Sequence, residues 1–233
     1  MITPIILAIE TSAKVCSVSL NVDSKPLATY ETFVEKSSSE LIKVYSDRIL
    51  NDHQLSYKDL SAVAVSKGPG SYTGLRIGVS FSKGLCFALD IPLIGINTLK
   101  ALALQIKTHT KLNDLFFVPM LDARRMEVYT ASFDDDLNFI NDTEAVVLNP
   151  LFFEKFNPNK TLFFGDGAIK VKQFITENNR FEILENIYPS AKQIGILAYE
   201  SYLKSAFENT AYFEPFYLKP YFSDVSQKTS LNL

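Results

Sequence analysis

A glycine-rich turn, followed by a helix with small residues at every fourth position, is the feature that most constrains this chain. The turn spans residues 68–70 and follows the apolar run 62–65, which predicts a buried strand. Small residues then recur at intervals of four, at Gly70, Gly74, Gly78 and Ser82. Residues four apart lie on one face of a helix, and each helical glycine costs about 1 kcal/mol relative to alanine. The pattern therefore predicts that another element approaches this face closely.

The same turn has a second interpretation. A Gly-Pro-Gly turn before a helix can aim backbone N–H groups at an anion. Residues 68–71, however, lack the Lys-Ser/Thr ending of a phosphate-binding P-loop. The sequence therefore does not favour direct phosphate binding by this chain alone.

Composition restricts the class of protein. The 233 residues are 47% apolar and include 18 Phe and 11 Tyr, enough for two domains with real cores. A net charge of −3 argues against a chain that wraps nucleic acid with its own basic surface. Cys16 and Cys86 fit no metal-binding spacing and predict buried thiols in a reducing cytosol. The pattern shows neither a signal peptide nor a run of about 20 apolar residues, so we expect a cytoplasmic protein without a membrane segment.

The hydrophobic pattern predicts one order of elements twice. Residues 1–108 predict the order βββαβαβα, with a continuous apolar run at 5–9, an alternating strand at 15–22 and a last helix at 98–107. Residues 109–233 repeat that order, with strands at 127–133 and 161–164, a Gly-Asp-Gly turn at 165–167, a helix at 168–177 and a polar tail from Tyr221. An acidic residue ends the first strand of each half, Glu10 in one and Asp122 in the other. Two such halves predict a duplicated, ribonuclease H-like α/β fold with a cleft between two lobes.

Four segments of the chain resemble those of one protein family. In chain order they read ILAIETSAKVCSVSL, SKGPGSYTGLRIGVSFSKGLCFALDIPLIGINTLKALA, LDARRMEVYTASF and LFFGDGA. From residue 5 to about residue 220, the chain resembles the TsaB (YeaZ) family. Proteins of that family are non-catalytic paralogues of TsaD in the bacterial synthesis of threonylcarbamoyl-adenosine in tRNA. The resemblance implies an actin-like ATPase (ASKHA) fold, in agreement with the duplicated order of elements.

The resemblance also implies that this chain lacks the metal chemistry of TsaD. TsaD-type proteins follow the Pro-Leu-Ile-Gly-Val strand with Asn-His-Met-Glu-Gly-His, whose two histidines bind a catalytic metal. Here the strand is followed by Asn-Thr-Leu-Lys-Ala-Leu, so Thr98 and Leu102 stand at the histidine positions, and His53 and His109 lie elsewhere. Leucine cannot bind a metal, and a lone threonine hydroxyl is a poor ligand. We therefore expect no catalytic residue, metal or cofactor, with ATP or ADP possible only in a complex.

Two helices form the expected partner surface. In the family, the helix with the glycine stripe and the helix before it, here 38–50, form a bundle with TsaD or with a second copy. The resemblance thus implies TsaD and TsaE as partners, a homodimer for the chain alone, and tRNA only indirectly through the complex. The expected surface residues are Leu41, Val44, Tyr45, Arg48, Gly70, Tyr72, Gly74, Arg76, Gly78 and Ser82. The alternative is that the glycine face packs on the chain's own sheet.

The cleft is the second candidate site. Glu10 and Asp122 could face each other across it and hold a cation, as strand-end acidic residues do in actin-like ATPases. The residues that follow, Thr-Ser-Ala-Lys at 11–14 and Ala-Arg-Arg at 123–125, would crowd a nucleotide phosphate. We therefore interpret both acidic residues as relic carboxylates, satisfied by local N–H groups or by Arg124.

The sequence thus predicts a non-catalytic subunit that scaffolds and activates TsaD together with TsaE. The alternative is a kinase-like phosphotransferase that binds ATP in its own interlobe cleft. A free-standing serine protease is disfavoured because the chain has no Gly-x-Ser-x-Gly motif.

Overall fold

The structure, a computed structural model, describes residues 3–33, 39–110, 113–157, 160–174 and 181–219. The chain forms two lobes, each built around a five-stranded mixed sheet. The polar tail predicted from Tyr221 lies outside the described residues. Among the helices of these residues, none has the length and apolar character needed to cross a membrane.

The first half follows the predicted order of elements. They are β1 (Ile5–Glu10), β2 (Val15–Val22), β3 (Lys25–Phe33), α1 (Ser39–Asp52), a short 3₁₀ helix (Tyr57–Asp59), β4 (Ala62–Gly68), α2 (Tyr72–Leu89), β5 (Leu93–Asn97) and α3 (Thr98–Lys107). The continuous apolar run of β1 has helices on both faces, which is why its side chains do not alternate between apolar and polar.

The second half repeats that order. Its elements are β6 (Phe116–Asp122), β7 (Glu127–Phe133), β8 (Phe139–Val147), α4 (Pro150–Phe153), β9 (Thr161–Phe164), a 3₁₀ helix (Ala168–Gln173), β10 (Glu182–Leu184) and α5 (Ala191–Leu203). The helix predicted at 168–177 is thus a 3₁₀ helix over its first six residues.

Both sheets have the same topology, which confirms the duplicated fold. In the first sheet, β1 pairs antiparallel with β2 and parallel with β4. In the second sheet, β6 pairs antiparallel with β7 and parallel with β9. Because Ile9 lies opposite Val65 in the parallel pair, Glu10 lies at the same sheet edge as the glycine-rich turn.

The last helix of each half packs on the sheet of the other half. In α5, Ala191, Ile194 and Ala198 lie in one apolar cluster with Ile6 and Ile94 of the first sheet. In α3, residues from Leu99 to Ile106 lie in one apolar cluster with buried side chains of β6, β7 and β9. The predicted division into 1–108 and 109–233 therefore separates the two sheets, but each core includes a helix from the other half.

After α5 the chain returns to the first lobe as an irregular segment with a turn at 209–213. We call this segment, residues 207–219, the strap. The Glu208 N–H donates to the Leu93 oxygen at 2.9 Å, and the Phe216 N–H donates to the Lys67 oxygen at 2.7 Å. Gly95 of β5 makes room for it, because a Cβ there would lie 2.7 Å from Glu208 Oε1. The strap is therefore fixed to β4 and β5 by backbone hydrogen bonds and close packing.

The glycine face of α2 packs on the turn that follows β1. A Cβ would lie 2.4 Å from the Ser12 oxygen at Gly70, 2.0 Å from the Thr11 oxygen at Gly74 and 2.4 Å from Thr11 Oγ1 at Gly78. Gly78 and Ser82 are buried. This corrects the prediction that Gly70, Gly74, Gly78 and Ser82 offer a surface to a partner. The chain itself fills that face, as the alternative interpretation had it.

We expect Gly74→Ala to lower the free energy of unfolding by about 1–3 kcal/mol, because the added methyl group meets the Thr11 carbonyl. Gly84 is the matched control, since it lies in the same helix with nothing within 4 Å of an added Cβ. Gly84→Ala should leave stability unchanged or raise it by up to about 1 kcal/mol. Urea unfolding measures both, and equal effects would contradict the close packing.

Candidate functional site

β1 ends in a carboxylate that is buried inside the first lobe. The Glu10 side chain is 0% exposed, and its Oε1 accepts a hydrogen bond of 2.5 Å from the Ser12 N–H. Its Oε2 has no hydrogen-bond partner among the described residues. Burial raises the pKa of Glu10 to about 7, and hydrogen bonding with Ser12 offsets only part of that shift. Glu10 therefore gains or loses its proton near neutral pH.

β6 ends in the equivalent carboxylate, which is more exposed and paired with a lysine. Asp122 Oδ1 accepts hydrogen bonds from the Arg124 N–H at 2.7 Å and from Lys170 Nζ at 2.6 Å. Partial burial opposes ionisation of Asp122, but these two donors outweigh it and hold its pKa below the usual value. Lys170 also donates to the Glu127 backbone oxygen at 2.6 Å, which fixes the ammonium group in place.

The two strand-end carboxylates share one local geometry. Each accepts the backbone N–H of the residue two positions later, Ser12 for Glu10 and Arg124 for Asp122. Local N–H groups therefore bind one oxygen of each carboxylate, as interpreted from the sequence, but Glu10 Oε2 has no partner among the described residues. Arg124 contributes through its backbone, with φ at 70°, and Arg125 follows with φ at 48°. The turn after β6 therefore runs through the left-handed region, which is uncommon for residues other than glycine.

This arrangement does not present two carboxylates to one cation. Glu10 has no exposed surface, and the Lys170 ammonium already contacts Asp122. Over the parts of the chain that the structure describes, no three His, Cys, Asp or Glu side chains form a group that could hold a metal ion. Thr98 and Leu102, at the positions of the TsaD histidines, are both 0% exposed. Among the described residues, neither the pair Glu10 and Asp122 nor the pair Thr98 and Leu102 therefore provides a set of metal ligands.

Sequence reasoning missed two residues that complete the Asp122 environment. Asp166 Oδ1 accepts the Asp122 N–H at 2.9 Å, and Lys170 lies four residues further along. Burial raises the pKa of Asp166, and the nearby charge of Asp122 adds to the shift. The sequence Gly-Asp-Gly after β9 by itself predicts only a turn. The sequence signal for its contact with Asp122 is that the turn follows β9, the strand that pairs in parallel with β6.

α1 presents a mixed apolar and basic face on the outside of the first lobe. Its opposite side carries Ile42, Ser46, Ile49 and Leu50, which are buried. Val44 is 53% exposed, and the exposed Arg48 lies over the Tyr30 ring at 5.1 Å. Leu41 and Tyr45 are half-buried against the first core. Of the four residues expected on this helix, Val44 and Arg48 are therefore the most accessible.

α2 packs beside α1 and presents a second outward face. Arg76 is exposed and lies over the half-buried Tyr72 ring at 4.3 Å. Phe87, which sequence reasoning missed, is 87% exposed. It lies nine residues after Gly78, or two and a half turns, and so on the side opposite the buried glycine face. That spacing is the signal that could have identified it.

Solved structures of related fold place this arrangement in a known class. YeaZ from Pseudomonas aeruginosa superposes with a TM-score of 0.80 at 20% identity, covering 92% of this chain and 100% of that one. An activator of 2-hydroxyisocaproyl-CoA dehydratase from Clostridium difficile, solved with bound ADPNP, gives a TM-score of 0.50 at 9% identity, covering 88% and 98%. The fold is therefore the duplicated α/β fold of the actin-like ATPases.

Sequence comparison identifies the family within that class. The family model described as tRNA N6-adenosine threonylcarbamoyltransferase, TsaD, matches residues 32–228. The tRNA threonylcarbamoyladenosine biosynthesis protein TsaB of Bacillus subtilis is 33% identical over 176 residues, which cover 74% of this chain and 75% of that protein. This chain belongs to the TsaB (YeaZ) family.

We expect the stability of the protein to fall as pH rises from about 4.5 to 7, because the folded chain keeps a proton on Glu10 that the unfolded chain has released. Glu10→Gln stays neutral and keeps an acceptor for the Ser12 N–H. It should remove this contribution, which amounts to at most about 3 kcal/mol at pH 8. Urea unfolding of both proteins at about pH 5 and pH 8 tests the expectation. Parallel pH dependences would contradict it.

Proposed function

We propose that this chain is a non-catalytic subunit in the synthesis of threonylcarbamoyl-adenosine in tRNA, and that it binds and activates the TsaD transferase. The names of its relatives support the pathway, since TsaB proteins are described as tRNA threonylcarbamoyladenosine biosynthesis proteins. The transferase family model matches most of this chain, so the chain and its proposed partner share a fold. The partner is therefore a homologous chain rather than an unrelated protein.

The outward face of α1 and α2 is the observation that carries this proposal. Val44 is 53% exposed and Phe87 is 87% exposed, although both are large apolar residues on neighbouring helices. Arg48 is exposed one turn after Val44 on α1, and Arg76 is exposed on α2 about three turns before Phe87. Exposed apolar residues grouped with arginine and aromatic side chains are typical of protein–protein interfaces. With the glycine face excluded, this outward face is the part of the two helices on which a partner can bind.

Activation follows from binding without any chemistry on this chain. A partner that binds one conformation of TsaD more tightly than the others increases the population of that conformation. TsaE is proposed as a further member of the complex, and tRNA is reached only through it. A homodimer formed through the same face is proposed for the chain in isolation.

The cleft is proposed to have no nucleotide of its own. In the alternative function, a kinase-like phosphotransferase, the strand-end carboxylates would hold the cation that accompanies ATP. Here the Lys170 ammonium pairs with Asp122, and Glu10 is buried. These contacts support a cleft that has lost nucleotide binding, and they favour the non-catalytic proposal over the alternative.

We expect Val44→Glu to prevent restoration of threonylcarbamoyl-adenosine in cells depleted of this protein, because it places a charge in the proposed apolar contact. Val147→Glu is the matched control, since Val147 is 60% exposed on β8 of the other lobe. Mass spectrometry of tRNA nucleosides measures the modification, and circular dichroism checks the folding of both variants. If well-folded Val44→Glu restores the modification as fully as the control does, the proposed surface is excluded.

We expect no saturable heat when ATP and Mg²⁺ are titrated calorimetrically into the isolated protein. The reason is that the Lys170 ammonium already pairs with Asp122, the carboxylate that would hold the cation. Saturable binding that disappears in Asp122→Asn would instead favour the phosphotransferase. Release of inorganic phosphate by the same sample would show that the bound ATP is hydrolysed.

A further inference from the structure

The strap runs antiparallel to α2 along one side of that helix. Lys83 Nζ donates to the backbone oxygens of Ala211 and Phe213, at 3.2 and 2.8 Å. Towards the start of α2, the Tyr217 ring lies against the Tyr72 ring with 4.6 Å between centroids. Later strap residues therefore lie beside earlier helix residues, and the strap borders the face proposed to bind the partner.

Three side chains form a compact cluster where the strap meets the start of α2. Arg76 Nε donates to Tyr217 Oη at 3.3 Å, and its guanidinium lies over the Tyr72 ring at 4.3 Å. The Tyr72 and Tyr217 rings are inclined at 30° to each other. Each side chain thus contacts the other two, although Arg76 itself is exposed. A long arginine side chain at an exposed position is otherwise free to sample many rotamers.

The backbone of the strap fixes the position of Tyr217. The preceding residue, Phe216, donates its N–H to the Lys67 oxygen at 2.7 Å, and a Cβ at Gly68 would lie 2.8 Å from the Phe216 oxygen. Two residues after Tyr217, the Lys219 ammonium pairs with Glu127 of the second lobe. Tyr217 is therefore held between two anchored points, one on each lobe.

We propose that Tyr217 is a positioning residue of the partner surface and that it holds Arg76 in the conformation that binds a carboxylate of TsaD. This inference rests on the proposed function. One of the five N–H donors of the guanidinium goes to Tyr217, and the group remains exposed. A guanidinium presents its donors in a planar fork, which matches a carboxylate in two parallel hydrogen bonds. A partner that binds here offers an acidic side chain next to an apolar group that covers the two tyrosine rings.

Preorganisation is the physical reason for an effect on affinity. An arginine that is already held in its bound conformation loses less side-chain entropy when the partner binds. Without Tyr217, that entropy is lost on binding, and Tyr72 also loses its ring contact. We expect Tyr217→Leu to weaken binding about tenfold, because it removes the aromatic pair and the charge-assisted hydrogen bond that hold Arg76 in place before the partner binds.

The test measures the dissociation constant for the TsaD transferase of the same cell by calorimetry, using the full chain. The variants are Tyr217→Leu, Tyr217→Phe, Arg76→Gln and the double variant Tyr217→Leu with Arg76→Gln. Tyr212→Leu is the matched control, because that strap ring is 82% exposed. Tyr217→Phe keeps the ring on Tyr72 and should retain most of the affinity.

The double variant separates positioning from a merely structural role. If Tyr217 acts through Arg76, Tyr217→Leu should cost less than about threefold once Arg76 is already glutamine. The inference is overturned if the double variant raises the dissociation constant by the product of the two single-variant factors. It is also overturned if Tyr217→Leu and Tyr212→Leu bind with equal affinity. Neither result would contradict the proposed function. If the wild-type chain does not bind the transferase at all, the proposed function fails and the inference fails with it.

Discussion

The packing of α2 on the turn after β1 is the contact on which the rest of the structure depends. Backbone and side-chain atoms of Thr11 and Ser12 occupy the space where side chains would otherwise stand at Gly70, Gly74 and Gly78. The Thr11 hydroxyl donates to the Gly74 oxygen at 2.7 Å, and the Ser71 N–H donates to the Ser12 oxygen at 2.6 Å. These contacts fix the helix against the first sheet. The helix glycines lower intrinsic helix stability, and the close approach offsets that loss.

The same turn links the two candidate sites. It adjoins Glu10, whose carboxylate it holds through the Ser12 N–H, and it sets which face of α2 points outward. At the equivalent position of the second lobe, the Lys170 ammonium pairs with Asp122. In a cation-binding member of this fold class, the ligands would lie at these two strand ends. Here the chain's own Ser12 and Lys170 already contact the two carboxylates. The outward face of α1 and α2, with the strap at its border, is the surface that we propose for partner binding.

Much of the fold could be predicted from periodicity, but the long-range contacts could not. The predicted bounds of β2 (Val15–Val22), β7 (Glu127–Phe133), β9 (Thr161–Phe164) and α3 (Thr98–Lys107) match the structure at both ends, because their apolar patterns end at clear turn residues. The glycine spacing predicts a close approach but not which element approaches, since a partner helix and the chain's own turn both satisfy it. The strap could not be predicted from hydrophobic periodicity. Backbone hydrogen bonds hold it, and it fits where Gly68 and Gly95 have no side chain. Lys170 pairs with a residue 48 positions earlier, which spacing cannot reveal.

Hydrogen–deuterium exchange of the full chain, alone and with the TsaD transferase, tests the central claim most directly. The claim is that this protein functions through the outer surface of its first lobe rather than through its cleft. It predicts slower amide exchange in α1, α2 and the strap when the partner is added, with unchanged exchange in the turns after β1 and β6. Protection confined to those two turns, with α1 and α2 unaffected, would contradict it.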